Sequence, residues 1–316
     1  MGELSYAEIK AAATRIAGRV RPVTVTRADD LAVDGGAAEL YLALEFTQHT
    51  GTFKARGAQN FLLAHREAGT LPAAGVTIAS GGNAGLACAW AAREQAVPAT
   101  VFLPATAPQV KVQRLRSYGA DVRLVGAEYA DALTACLEFA DVTGALASHA
   151  YDHPDIAAGA GTVMIELLER IHGLDTVVVA VGGGGLFAGV ATVAQQHRIR
   201  TIAVEPENCR ALNAALQAGR PVDVPLNSVA ADSLGARRAS DLALRAAQHE
   251  GVRSVLVTDA EIVRARQALW DDYRFAVEHA AGTGLAGVRS PTGYRPSAGE
   301  KVCVVLCGAN TDPADL

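Results

Sequence analysis

Lys54 stands where an amine could act as a nucleophile. It follows an aromatic residue, Phe53, in Thr50-Gly51-Thr52-Phe53-Lys54-Ala55-Arg56-Gly57-Ala58, where a helix is expected to begin. A cation is disfavoured at a helix N-terminus, so the position favours the neutral, nucleophilic amine. A lysine on a solvated helix end would have the same sequence. Two glycine loops could hold what the amine acts on. Gly182, Gly183, Gly184 and Gly185 follow the apolar run Val177–Val181, and Leu186 opens a helical stretch. Glycines let a backbone close around an anion, and the helix start supplies free N–H groups and partial positive charge. The loop could hold a phosphate, or it could be a turn that packs a helix close to a sheet. Ser80-Gly81-Gly82-Asn83-Ala84-Gly85 likewise follows a strand and opens a helix. Ser80 and Asn83 suit helix capping, and the loop is also of a size to cradle a carboxylate. Neither loop reads G-x-x-x-x-G-K-[ST], so triphosphate hydrolysis is not expected. The one acid placed to bind a dinucleotide's ribose is Glu205.

Strands and helices must position these loops. Candidate strands are Leu40–Leu44, Val76–Ser80, Thr100–Leu103, Val122–Val125, Thr176–Val181, Arg200–Val204, Ser254–Val257 and Val302–Leu306. Candidate helices are Phe53–Glu67, Gly85–Gln95, Pro108–Ser117, Tyr129–Thr143, Thr162–His172, Leu186–His197 and Ala260–Tyr273. Such alternation predicts parallel βαβ units and an α/β fold. Two blocks, Val76–Thr143 and Thr176 onward, predict two open twisted sheets in two domains with a cleft between them. Ligands in such folds sit at the carboxyl ends of strands.

Composition narrows the classes. The 316 residues are 50% hydrophobic and 19% charged, which gives material for a large core and excludes a charge-rich disordered chain. A net charge of −5 and 5% aromatics argue against a nucleic-acid partner. Five cysteines without C-x-x-C spacing suggest neither a disulfide framework nor a zinc site. The N-terminus carries Glu3, Glu8 and Lys10, so it reads as a helix capped by Ser5 rather than a signal peptide. Thr176–Gln195 lacks charge, but its four glycines make it strand, loop and helix rather than a membrane span. These features predict a cytoplasmic protein with no membrane partner.

Together and in order, Thr52-Phe53-Lys54-Ala55-Arg56-Gly57-Ala58, Ser80-Gly81-Gly82-Asn83, Gly182–Leu186 and Cys307-Gly308-Ala309-Asn310 resemble the pyridoxal-phosphate enzymes of the tryptophan synthase β fold, fold type II. More narrowly they resemble the threonine/serine dehydratase and serine racemase branch, since threonine synthases usually read Lys-Asp-Arg where this chain reads Lys54-Ala55-Arg56. The resemblance runs from about Thr24 to Asp312. It implies pyridoxal 5'-phosphate as cofactor, with Lys54 forming the Schiff base and serving as the base at Cα. It implies that Phe53 packs on the cofactor ring, Asn83 bonds its phenolic oxygen, and Gly182, Gly183, Gly184, Gly185 and Leu186 hold its phosphate. Cys307 would face the pyridine nitrogen, with Gly235 and Glu278 close by. Ser80, Gly81, Gly82, Asn83 and Ala84 would hold the substrate carboxylate. Asp152 and Gly159–Thr162 would lie on the cofactor side. The implied domains are a large one, 1–70 with 145–316, and a small one, 71–144. The implied assembly is a homodimer, and the partner is a small amino-acid substrate.

A thiol at the ring nitrogen would not keep that nitrogen protonated, which disfavours a long-lived carbanion and favours prompt loss of a β leaving group. The expected reaction is therefore β-elimination: L-threonine to 2-oxobutyrate and ammonia, and L-serine to pyruvate. Four departures from the family pattern bear on this. Gly81 replaces a serine of the racemases and has no proton to give. Ala84-Gly85-Leu86 replaces His-Ala-Gln and is expected to widen the loop, which admits another hydroxy amino acid such as 3-hydroxyaspartate or a hydroxyectoine-derived one. Ala211 stands where an acid would complete a cation site after Glu205-Pro206, so no metal is expected. The sequence runs to Leu316, which leaves no room for the regulatory domain of the isoleucine-inhibited enzymes, so feedback inhibition by isoleucine through such a domain is not expected. β-Replacement, racemisation and a non-catalytic binding role are the rival readings. His153 and His279 are expected to cap or pack, Cys88 and Cys136 to lie in the core, and Trp90 and Trp270 to anchor packing.

Overall fold

The computed structural model describes residues 3–28 and 38–315; residues 1–2, 29–37 and 316, which fall in the expected large domain, lie outside it. The first half of the chain forms α1 (Tyr6–Ile16), β1 (Val25–Arg27), β2 (Glu39–Ala43), α2 (Lys54–Glu67), β3 (Val76–Ala79), α3 (Asn83–Glu94), β4 (Ala99–Leu103), α4 (Gln109–Ser117), β5 (Asp121–Leu124), α5 (Tyr129–Thr143) and β6 (Leu146–Ala147). The second half forms α6 (Pro154–Arg170), β7 (Thr176–Ala180), α7 (Gly185–Gln196), β8 (Arg200–Pro206), α8 (Ala211–Ala218), α9 (Ala231–Leu234), α10 (Asp241–Ala247), β9 (Val252–Val257), α11 (Asp259–Tyr273), α12 (His279–Arg289) and β10 (Lys301–Val305).

Two sheets result. One has the order β1-β2-β10-β7-β8-β9, parallel except where β1 meets β2; the other has the order β5-β4-β3-β6 and is parallel throughout. The runs that form central strands are continuously apolar because helices cover both faces of a parallel sheet. Every residue of β7, Thr-Val-Val-Val-Ala, is buried, with Val178 paired to Val304 on one side and Ile202 on the other. Each valine removed from water there contributes about 1.5–3 kcal/mol. The last strand, β10, lies between β2 and β7. That insertion brings the chain after β2, which leads to Lys54, beside the chain after β10, which carries Cys307.

Most expected elements form within one or two residues of their anticipated ends. Ser5 caps α1 in a capping box with Glu8. Thr176–Gln195 is indeed a strand, a glycine loop and a helix, and among the described residues no helix is long and apolar enough to cross a membrane. Two helices begin earlier than expected. The Asn83 start of α3 precedes the expected Gly85, because Gly82 is the cap. The Pro154 start of α6 precedes the expected Thr162 by two turns: His153 caps it and proline suits the first helical position. Missing from the sequence reading are β1, β6, α8, α9, α10 and α12. α12 carries Gly282, Gly284 and Gly287, which lower helix propensity, yet a Cβ on Gly287 would lie 2.4 Å from Val204 Cγ2. Gly284 and Gly287 let α12 pack closely on the sheet, and Gly282 lets it approach Ile262 and Arg266 of α11.

Candidate active site

The N-terminus of α2 is fastened to the large sheet before Lys54 is reached. Thr52 bridges Gly308, Phe53 N–H donates to Cys307 O at 3.1 Å, and Ala309 N–H donates to Gly51 O at 2.9 Å. Arg56, one turn of helix inward, is fully buried and bidentate on Glu45 at 2.7 and 2.8 Å; it also donates to Glu166 and to Thr162 Oγ1. Removing one member of such a buried charge network costs about 3–5 kcal/mol. Thus the arginine of the Lys-Ala-Arg motif locks α2 to α6 and does not reach substrate.

Lys54 therefore projects from a fixed helix end. Its Nζ donates to Ala150 O at 3.0 Å and lies 4.9 Å from the Phe53 ring centroid. Burial pulls its amine down to about 8, against the opposing pull of Cys307 and Glu278. The expected direction is correct, but its leading cause is desolvation rather than the helix end. Burial likewise pushes the Cys307 thiol up to about 12, so it is neutral near pH 7.

The loop after β7 has no room for side chains. A Cβ on Gly183 would lie 2.3 Å from the Tyr151 ring, one on Gly184 2.3 Å from Ala243 Cβ, and one on Gly185 2.8 Å from Tyr151 O. Gly184 also takes φ +94, the left-handed region that favours glycine. Only backbone lines this loop, and the first N–H groups of α7 have no intrahelical acceptor. At the end of β3 the second loop is closed at its base, where a Cβ on Gly85 would lie 1.9 Å from Ser80 O. Gly85 therefore tightens the loop, contrary to the expected widening. Asn83 starts α3 and donates through Nδ2 to Glu278 Oε1 and Oε2 at 2.8 and 3.0 Å. Asn310 completes the clasp, its N–H on Glu278 Oε1 at 2.8 Å and its Nδ2 on Asn83 Oδ1 at 2.6 Å. Burial raises the Glu278 carboxyl, and these donors lower it.

One cavity of about 740 Å³ gathers Phe53, Lys54, Ser80, Gly81, Gly82, Asn83, Ala84, Gly182, Gly183, Gly184, Gly185, Leu186, Gly235, Glu278 and Cys307. These residues come from the carboxyl ends of β3, β7 and β10, the starts of α2, α3 and α7, the end of α9 (Gly235) and the cap of α12 (Glu278). Asp152 and Gly159–Thr162 are not brought in that way; only Ala160 of that stretch lines the cavity. A Cβ on Gly159 would lie 2.6 Å from Arg56 O and one on Gly161 2.8 Å from Gly189 Cα, so these glycines let α6 cross α2 and α7. Sequence reading missed Ala150 and Tyr151, which line the cavity beside Lys54 and the glycine loop. An aromatic, Tyr151, three residues before the Pro154 helix start was the available signal. Glu205 accepts from Leu212 and Asn213 N–H at 2.7 and 2.8 Å, so it caps α8 rather than facing a ribose. Cys88 and Cys136 are buried, His153 caps α6, and Trp90 stacks on His49 with centroids 4.5 Å apart.

The residues present fit pyridoxal phosphate. A loop whose glycines are packed against Tyr151, Leu234 and Ala243 and that offers only backbone N–H groups suits a phosphate, and an enclosed amine near 8 suits an aldehyde. Thr52 Oγ1, buried in the cavity wall, has no hydrogen-bond partner within the protein. Residues 16–308 match the family model described as pyridoxal-phosphate dependent enzyme. The L-threonine ammonia-lyase of Thermotoga maritima is 34% identical over 282 residues, covering 89% of this chain and 69% of that protein. A serine dehydratase-like protein of Mus musculus is 37% identical over 283 residues, covering 86% and 85%. The solved structure of maize serine racemase superposes with a TM-score of 0.91 at 29% identity, covering 99% and 96%.

Proposed function

The chain belongs to the pyridoxal-phosphate-dependent enzyme family, and from that premise we propose that it is an ammonia-lyase that dehydrates and deaminates β-hydroxy amino acids. L-Threonine gives 2-oxobutyrate and ammonia; L-serine gives pyruvate and ammonia. Bound pyridoxal phosphate supplies the electron sink that acidifies the substrate Cα–H. One observation carries the reading: an enclosed Lys54 amine held near 8 shares a cavity with a Cys307 thiol that stays neutral.

We assign Lys54 as the residue that anchors the cofactor and takes the Cα proton. An amine lowered from 10.5 to about 8 has a far larger unprotonated fraction near neutrality than a free lysine, which suits a general base. As the C–H bond breaks, the electron pair forms the Cα=Cβ bond, the β C–O bond breaks, and the proton that Lys54 takes from Cα balances the hydroxyl that leaves as water. The released enamine takes up water to give the 2-oxo acid and ammonia. Gly182–Leu186 would present N–H groups to the phosphate, and Ser80 and Gly81–Ala84 would hold the substrate carboxylate. Phe53 would flank the ring, Asn83, clasped with Glu278, would serve the ring oxygen, Gly235 would close the wall, and Cys307 would serve the ring nitrogen without a formal charge. The neutral thiol supports elimination over transamination.

The likeness to serine racemase favours one second reading, racemisation, which needs an acid on the face opposite Lys54. Gly81 supplies none, so dehydration leads. We further divide the chain into a large domain, 1–70 with 145–316, and a small one, 71–144, that closes over substrate, and we assign a homodimer. Five buried free thiols suit a reducing compartment, and we place the enzyme in the cytoplasm. The test is 2-oxo acid release from L-threonine and L-serine by the cofactor-loaded protein and by Lys54→Ala. The variant is expected to lose at least about 10³-fold in turnover, from loss of both nucleophile and base. Native-like turnover in Lys54→Ala would sink the mechanism.

A further inference from the structure

A second cluster of ligating side chains lies at the other end of α2 from Lys54. A ligand atom from each of His65, His153 and Asp155 lies within 4.8 Å of the other two. His65 is in the last turn of α2; His153 and Asp155 cap and open α6. None of the three lines the active-site cavity.

The donors are already oriented. Thr70 Oγ1 stands 2.8 Å from His65 Nδ1 and holds the ring in place. His65 Nε2 is a buried atom with no hydrogen-bond partner, and with the proton on Nδ1 its lone pair is free for a metal. A histidine fixed by a bond from its other nitrogen is the usual arrangement of a metal ligand. Phe61 sets both rings edge-on, each 4.8 Å from its own centroid. His153 Nδ1 stands 3.8 Å from Asp155 Oδ2 and accepts the Asp155 N–H at 3.1 Å. Ligation there exchanges that cap for a coordinate bond.

We propose that His65, His153 and Asp155 bind a divalent cation of the zinc class, with water as the fourth ligand. Two imidazoles and one carboxylate suit zinc, whereas calcium and magnesium take oxygen. The bound ion clamps the end of α2 to the start of α6. The clamped segment begins just after Ala150 and Tyr151, the residues against Lys54 Nζ and the glycine loop. The site is thus a structural clip behind the active site, and it is independent of which amino acid the enzyme consumes.

The cofactor-loaded enzyme is titrated with ZnCl2 by calorimetry in a non-chelating buffer, and with Co2+ by visible absorption. One equivalent per chain is expected, with the intense d–d bands of a four-coordinate ion and a rise in Tm as zinc is added. His65→Gln is expected to lose that equivalent while turning over L-threonine normally without added metal. Thr70→Val, which removes only the hydroxyl bonded to His65 Nδ1, is expected to weaken zinc about tenfold or more. Zinc binding of equal affinity in native enzyme and His65→Gln, or none in either, overturns the proposal. Neither result bears on 2-oxo acid release, so failure here and failure of the proposed reaction are separate events.

Discussion

The two glycine loops that meet in the cavity are built to different tolerances. At the end of β7, Cβ atoms on Gly183 and Gly184 would lie 2.3 Å from the Tyr151 ring and from Ala243 Cβ. At the end of β3, Gly82 has nothing within 4 Å of its Cβ direction, and Gly81 meets only Leu103 Cδ2 at 2.8 Å, the far end of a flexible side chain. The first loop can present backbone alone, which suits a group that never changes, the cofactor phosphate. The second is tight at Gly85 and open at its tip, which suits a place where substrate preference is set.

Substitutions can break that contrast. Gly184→Ala should have the largest effect, because it adds left-handed strain of about 1–2 kcal/mol to an overpacking cost of about 1–3 kcal/mol. Its affinity for pyridoxal phosphate, measured by fluorescence titration, should fall about 100-fold or more; unchanged affinity would end the comparison. The cofactor side also encloses a charge that the substrate side lacks. Without cofactor, the folded protein must hold a Lys54 ammonium below pH 8, whereas the unfolded chain keeps its proton until about 10.5. The unfolded state binds more protons between those values, so Lys54's penalty is full below about 8 and relieved as pH rises toward 10.5. Urea unfolding of the cofactor-free protein should gain on the order of 3 kcal/mol over that window relative to Lys54→Met. A flat difference would mean that the amine is solvated.

On the open side the effects should be smaller. Gly81→Ser should cost about 1–2 kcal/mol while Leu103 shifts, and should produce D-serine from L-serine above the native level by chiral chromatography. Its absence would show that a hydroxyl here does not reach the face opposite Lys54. Gly82→Ala should be mildest, under about 1 kcal/mol in thermal unfolding as a lesser cap, with KM for L-threonine nearly unchanged.

Much of this was legible because parallel α/β sheets write themselves as apolar runs and glycine turns. The β7–loop–α7 unit, the Lys54 helix and the order of the two loops follow from local pattern. The illegible parts share a cause: their signals are non-local or contrary to propensity. β1 and β6 are three and two residues long and exist only through their partners β2 and β3. α12 and the first half of α6 carry glycines whose value appears only once another backbone lies against them. The resemblance implies a cofactor-side role for Gly159 and Gly161, whereas in the structure they let α6 cross α2 and α7.

The sequence by itself determined the chemistry available: one amine after an aromatic, two glycine loops at strand ends, and a thiol near the end of the chain. Tertiary structure decided how those groups behave. Lys54 falls to about 8 because β10 inserts beside β2 and encloses the amine against Ala150. Arg56 becomes a buried strut only when Glu45 and Glu166 arrive from two other elements. Asn83 is aimed only when Glu278 and Asn310 grip it across the cleft. Burial and charge pairing depend on which distant segments meet, and a local pattern carries no record of that.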